Sequence, residues 1–101
     1  MSNLFEKDID ARFAEFHATN PHVFILFRTY AQELWNAGHR KGSAELIIQR
    51  IRWQTAIETR GDLFKINDHY RARYARLLVA ECPQFEGFFE FRKRIDVGEA
   101  A

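Results

Sequence analysis

The sequence predicts an all-α fold, a compact single-domain bundle of four to five helices, with a helix-turn-helix-like arrangement and one short extended segment as options. Apolar residues recur every three or four positions along most of the chain, which is the spacing of one helix face. Asn, Ser, Pro and Gly stand where helices of ordinary length would begin or end. A chain of 101 residues is typical of one domain. We therefore place a single helical domain at 1–95 and a frayed C-terminal tail at 96–101.

The first two helices are separated by a break at Thr19, Asn20 and Pro21. Asn20 is a favourable N-cap for the second helix, and Pro21 suits its first position, where the missing N–H costs nothing. Gly38 ends the second helix because glycine adopts a left-handed conformation easily. The apolar faces consist of Phe5, Ile9, Phe13 and Phe16 in the first helix, and of Val23, Phe24, Phe27, Ala31, Leu34 and Trp35 in the second.

The third helix carries two apolar stripes, which predicts a central position with both stripes buried. Ser43 is its N-cap, and the helix runs to about Arg60, with Gly61 following it. The first stripe consists of Ile47, Ile48, Ile51 and Thr55, and the second of Leu46, Trp53 and Ile57.

The second half of the chain continues with an extended link or short strand at 62–66, a stretch that partly alternates and is rich in strand formers. Asn67 or Asp68 then caps a fourth helix that ends near Glu81. Its packed side consists of Tyr70, Tyr74, Leu77 and Leu78. Pro83 opens a last short helix or packed turn.

The composition limits where the protein works. With 47% hydrophobic and 29% charged residues, the chain has the balance of a folded domain. Its one cysteine, Cys82, cannot form an internal disulfide, which suits a reducing cytoplasm. We predict no membrane partner, because no apolar stretch is long enough to span a bilayer and the start of the chain lacks a signal-peptide pattern.

The net charge of +1 conceals an uneven distribution along the chain. Residues 1–37 and 81–101 each have a net charge of −2, whereas residues 38–80 have nine basic against four acidic side chains, a net charge of +5. The total excludes a strongly basic nucleic-acid coat, but the basic middle indicates an anionic partner for that segment. The alternative is a set of solvated helix cations.

No pattern in the sequence indicates catalysis, so we predict that the protein is not an enzyme and uses no cofactor or metal. A nucleophile elbow, a phosphate loop and a pair of catalytic carboxylates are all absent from the sequence. No two of His17, His22, His39 and His69 have the spacing of three or four residues that a helical zinc site needs.

The fourth helix has the properties of a DNA-recognition helix. It combines a packed inner face with a basic outer face around the small Ala72, which would let the backbone approach a base pair. The predicted contacts to bases or phosphates are Arg73, Arg76, His69 and Arg71, and those to the DNA backbone are Arg50, Arg52, Arg40 and Lys41. The alternative is a solvated basic helix, because the linker at about 60–67 is longer than the turn of a simple helix-turn-helix.

Four of the ten phenylalanines crowd into seven residues near the C-terminal end, namely Phe85, Phe88, Phe89 and Phe91. A small helical domain has little interior, and no single helix face holds all four rings. We therefore predict that some of them form a partner-binding or homodimer surface. The alternative is a satellite of the core of a monomer.

Several short strings between residues 13 and 94 form a recognisable series: Asn20-Pro21-His22-Val23-Phe24, Ile51-Arg52-Trp53, Asp62-Leu63-Phe64-Lys65-Ile66-Asn67, Tyr74-Ala75-Arg76-Leu77 and Phe88-Phe89. Together they resemble a family of small, largely uncharacterised helical proteins encoded in phages and prophages. The resemblance implies action in the cytoplasm of a bacterial host cell, and it assigns no catalytic residues.

Three functional hypotheses follow from the sequence. In the first, the chain is a small phage- or mobile-element-type regulatory protein that binds double-stranded DNA as a dimer through the basic fourth helix. In the alternative, it is a non-enzymatic inhibitor or accessory factor that binds a host protein, for example one involved in defence. A third hypothesis is a structural packaging or virion component.

Overall fold

The structure, a computed structural model, describes residues 4–58 and 66–90, and within these ranges it consists of four α-helices and two short 3-10 turns. Helix α1 covers Leu4–Thr19, α2 covers Pro21–Asn36, α3 covers Ala44–Glu58 and α4 covers Arg71–Glu81, while the 3-10 turns lie at Asp68–Tyr70 and Pro83–Phe85. The predicted all-α single-domain bundle is confirmed. The predictions for the link at 62–65, for Phe91 and for the tail at 96–101 lie outside the described residues.

Local sequence signals set most of the helix ends. Ser43 caps α3 as predicted, since its Oγ accepts a hydrogen bond of 3.2 Å from the backbone N–H of Leu46. Gly38 ends α2 with φ of +103°, the left-handed conformation that glycine adopts at low cost. Asn20 and Pro21 occupy the predicted N-cap and first position of α2, but the Asn20 side chain makes no capping hydrogen bond and donates 3.1 Å back to the carbonyl of Phe16. It therefore satisfies the end of α1 instead.

The core is formed mainly by α2, α3 and α4, with aromatic rings at its centre. Tyr74 of α4 is fully buried and packs on Phe27 of α2, with ring centroids 5.7 Å apart. Phe13 of α1 meets the same tyrosine edge-on at 4.7 Å. Aliphatic side chains of α2, α3 and α4 complete this core, namely Val23, Ala31, Ile47, Ile48, Ile51 and Leu78.

Three members of the phenylalanine cluster, Phe85, Phe88 and Phe89, belong to this core, which for these three favours the alternative of a core satellite over a partner surface. Phe85, Phe88 and Phe89 are all buried, and successive rings of the three contact each other with centroids 5.3 and 5.0 Å apart. Phe85 also packs edge-on against Trp35 of α2. A buried ring cannot offer its surface to another molecule, so none of these three forms a docking surface in the folded chain.

Helix α3 buries one of its two apolar stripes, and the predicted burial of the other is wrong. Ile47, Ile48, Ile51 and Thr55 are buried as expected. Leu46, Trp53 and Ile57, which we call the outer stripe, are 57%, 64% and 63% exposed. Helix α3 therefore lies at the edge of the described bundle with one apolar side open to solvent.

We expect Gly42→Ala to lower the free energy of unfolding by about 1–3 kcal/mol, the usual cost of overpacking a core. A Cβ at this position would overlap the buried ring of Phe88, while the backbone N–H of Gly42 donates 2.9 Å to the carbonyl of Phe88. Urea denaturation followed by circular dichroism measures the change. If the overlap is the cause, the Gly42→Ala and Phe88→Leu pair loses less than the sum of the single losses. Unchanged stability of Gly42→Ala would contradict this packing.

Candidate functional site

The predicted recognition residue Arg73 joins α4 to α1 and is not free to contact a ligand. Its Nε donates 2.7 Å to Asp10, its guanidinium pairs with Glu6, and its Nη1 donates 2.9 Å to the carbonyl of His69. Only 11% of the side chain is exposed. Every one of these partners lies within the fold, so the structure gives Arg73 a structural role, and its contact with DNA stays a prediction.

Arg52 and Arg71 are also paired with carboxylates. Arg52 donates 2.6 Å to the carbonyl of Ile66 and 2.5 Å to Asp68, so it ties α3 to the 3-10 turn that precedes α4. This contact lowers the pKa of the Asp68 carboxyl, first through the hydrogen bond and then through the positive charge. The pair therefore stabilises the fold above the ordinary pKa of the carboxyl, and its contribution is lost as pH falls through the lowered value. Arg71 lies 3.6 Å from Glu45 of α3.

Arg40, Lys41 and Arg50, the other three residues predicted to contact the DNA backbone, are exposed, but each makes a contact within the chain. The guanidinium of Arg40 lies 4.0 Å above the Trp35 ring and donates 2.9 Å to the carbonyl of Trp35. Lys41 donates 3.0 Å to the carbonyl of Gly87. Arg50 lies 4.6 Å from the centre of the Tyr30 ring and donates 3.1 Å to Gln54. These cations stabilise the turn before α3 and the contact between α2 and α3.

The eight predicted DNA-binding residues are distributed over the turn before α3, α3 itself and the region of α4. Two of them remain to be placed: His69 is exposed and meets Phe5 edge-on at 5.1 Å, and Arg76 is half-buried on α4. Carboxylates of Glu6, Asp10, Glu45 and Asp68 lie among the basic residues. The described part of the chain therefore does not bring them together as one positively charged face.

The outer stripe of α3 is an exposed apolar surface, although the sequence predicted that it would be buried. Leu46, Arg50, Trp53 and Ile57 follow one another at spacings of four, three and four residues, which places them on one side of the helix. The neighbouring positions are uncharged, namely Gln49, Gln54 and Ala56. Only Arg50 brings a charge to this face, and its guanidinium lies over Tyr30 at the edge.

A second surface feature is an open groove of about 690 Å³ between α2 and the end of α4. It is lined by Arg28, Thr29, Gln32, Glu33, Asn36, Cys82, Pro83 and Gln84. Its amides bond one another, Gln84 to Gln32 and Gln32 to Asn36, each at 2.9 Å. The residues that the structure describes contain no cluster of side chains suited to a metal ion.

Two polar atoms are buried without a hydrogen-bond partner among the described residues, Nδ1 of His17 and the hydroxyl of Tyr74. Their rings meet edge-on with centroids 6.3 Å apart, inside the aromatic core. Burial raises the pKa of the Tyr74 phenol, because ionisation would place a charge in the apolar interior. This pair belongs to the packing of the interior and not to a surface site.

The fold and surface define a small all-α, single-domain protein with one exposed apolar helix face in the part of the chain that the structure describes. None of the described helices is long and apolar enough to cross a membrane. No protein-family model, curated protein or solved structure matches the chain.

Proposed function

We propose that this protein is a non-enzymatic protein-binding module that docks through the outer stripe of α3. The observation that carries the proposal is the exposure of Leu46, Trp53 and Ile57 by more than half on one side of one helix. Scattered surface apolar residues are normal, but an aligned group on a rigid element is typical of an interaction surface. Protein binding was the alternative hypothesis from the sequence, with the phenylalanine cluster as the binding surface. We now place the binding surface on α3.

The chemistry of the stripe fits a helix-in-groove or helix-on-helix contact. Trp53 stands near the middle of the stripe, and tryptophan is among the residues that most often dominate binding energy when they become buried. Leu46 and Ile57 flank it along the helix, about 16 Å apart at 1.5 Å per residue. A suitable partner presents an apolar helix face, with an aromatic ring or a carboxylate opposite Arg50.

The DNA-binding hypothesis has less support from the geometry. Arg52, Arg71 and Arg73 already pair with carboxylates, and a cation held by a carboxylate neutralises little of the charge of a DNA phosphate. We therefore place protein binding first, in the phage or prophage setting that the resemblance implies, with a host protein as one class of target.

Photo-crosslinking in bacterial cells tests the proposal. We expect benzoylphenylalanine in place of Trp53 to give discrete protein adducts that survive nuclease treatment, since this position lies at the centre of the docking face. The matched control is benzoylphenylalanine at Ile25, which is 55% exposed and belongs to α2, not to α3. Adducts at position 53 no stronger than those at position 25, or adducts that disappear with nuclease, would overturn protein binding through α3.

A further inference from the structure

We infer that a partner of the outer stripe is a second copy of this chain, packed so that the two α3 helices run antiparallel about a two-fold axis. The inference rests on the proposed function, because it uses the same surface and names its occupant. It rests further on the register of the stripe and on the position of its one charge.

The stripe is complementary to itself in the antiparallel direction. Its spacing of four, three and four residues is unchanged when the order is reversed, so a second α3 that runs the opposite way presents the same ladder. A two-fold axis midway between Ile51 and Arg52 then pairs Leu46 with Ile57 of the other copy, and Arg50 with Trp53 of the other copy. A two-fold interface requires this self-complementarity, since each contact occurs twice.

The position of Arg50 selects the antiparallel direction over the parallel one. In a parallel pair Arg50 would face the same arginine of the other copy, and two like charges would meet at the centre of an apolar contact. In the antiparallel pair each Arg50 instead lies against the indole ring of Trp53 of the other copy, which is an attractive cation–π contact, and the two-fold axis makes this contact occur twice. Its present position over the Tyr30 ring shows that the guanidinium already packs on an aromatic face.

The rest of the electrostatics also fits a second copy. The residues beside the stripe, Gln49, Gln54 and Ala56, carry no charge, so they neither require nor favour a partner of opposite charge. A net charge of +1 gives little general repulsion between two copies. Glu45, the acidic residue at the start of α3, is paired with Arg71 of its own chain.

The size of the contact predicts a dimer in equilibrium with the monomer. One side of a 15-residue helix offers only a small area for burial. Interfaces that bury less than about 1,200 Å² in total belong to the weak and transient class. We therefore expect the mass in solution to depend on protein concentration.

Sedimentation equilibrium of the purified full chain tests self-association, with Ile57→Lys compared with Ile25→Lys. We expect the parent and Ile25→Lys to approach twice the monomer mass between micromolar and near-millimolar concentration. Ile57→Lys should dissociate at least about tenfold more readily, because it places a charge in the apolar contact. A monomer mass for the parent at every concentration, or equal loss in both variants, would overturn the inference.

Disulfide crosslinking tests the direction of the helices. In a Cys82→Ser background, we expect Leu46→Cys chains mixed with Ile57→Cys chains to give a mixed disulfide dimer faster than either chain alone. Faster crosslinking of each variant with itself would indicate a parallel pair and overturn the antiparallel arrangement. A monomeric purified protein whose position 53 still crosslinks another protein in cells would remove the second copy and leave the proposed function in place. A monomeric purified protein whose position 53 also gives no specific adducts in cells would overturn both the second copy and the proposed function.

Discussion

Phe88→Ala is expected to lower the free energy of unfolding by about 3–5 kcal/mol, the range for removing a fully buried aromatic ring. The ring is 1% exposed and packs on Trp35, Phe85 and Phe89. Its removal leaves a cavity beside the turn before α3, because the residue that faces the ring there is Gly42, which has no side chain to fill the space. Urea denaturation monitored by circular dichroism measures the loss.

The matched control is Trp53→Ala, which removes a larger ring from an exposed position. Because Trp53 is 64% exposed, we expect its loss to change stability by no more than about 1 kcal/mol under conditions where the chain is monomeric. The two variants thus distinguish Phe88, which stabilises the core, from Trp53, which lies on the surface. Equal stability losses, or a larger loss for Trp53→Ala, would contradict these assignments.

The burial of the phenylalanine cluster could not be predicted from helical periodicity because the cluster does not lie on a helix. Phe85 ends a 3-10 turn, and the chain then reverses at Gly87, which has φ of +80°. This turn lets Phe88 and Phe89 both reach the core although they are adjacent in the sequence. A count of residues on one helix face therefore overestimated how many rings would remain outside.

The exposure of the outer stripe could not be predicted for a related reason. The sequence located the apolar positions of α3 correctly, but which of two stripes becomes covered depends on where the other helices pack. Helix α1 packs toward the start of α4, where Glu6 and Asp10 form ion pairs with Arg73. It does not cover Trp53. The helix ends at Gly38 and Ser43, by contrast, depend on neighbouring residues alone and were predicted correctly.

Ion pairs between residues far apart in the sequence could not be predicted for the candidate site. The sequence predicted Arg73 as an outward-facing cation, and no pattern in it indicated Asp10 as its partner. They are 63 positions apart in the sequence and 2.7 Å apart in the fold. No local spacing reveals such a pair, because the contact forms only when α1 and α4 have packed.

Arg73→Met is expected to lower the free energy of unfolding by about 2–4 kcal/mol, which is less than the cost of about 3–5 kcal/mol for breaking a fully buried ion pair, because the carboxylates keep some contact with water. Methionine keeps much of the apolar stem of the side chain but leaves Glu6 and Asp10 facing each other without a cation. Arg71→Met is the matched control on the same helix. Its contact with Glu45 is 3.6 Å long between two exposed groups, so we expect a loss below about 1 kcal/mol.

The same pair of variants separates the structural role of Arg73 from a role in DNA binding. If Arg73 holds α1 to α4, Arg73→Met unfolds at lower urea concentration, and a double-mutant cycle with Glu6→Gln shows coupling between the two side chains. Fluorescence anisotropy with duplex DNA at low salt, at a temperature where both variants are folded, gives the second readout. We expect no difference between the variants there. A selective loss of DNA affinity in folded Arg73→Met, with stability equal to that of Arg71→Met, would support a DNA-recognition role for α4. It would contradict the structural role of Arg73 between α1 and α4.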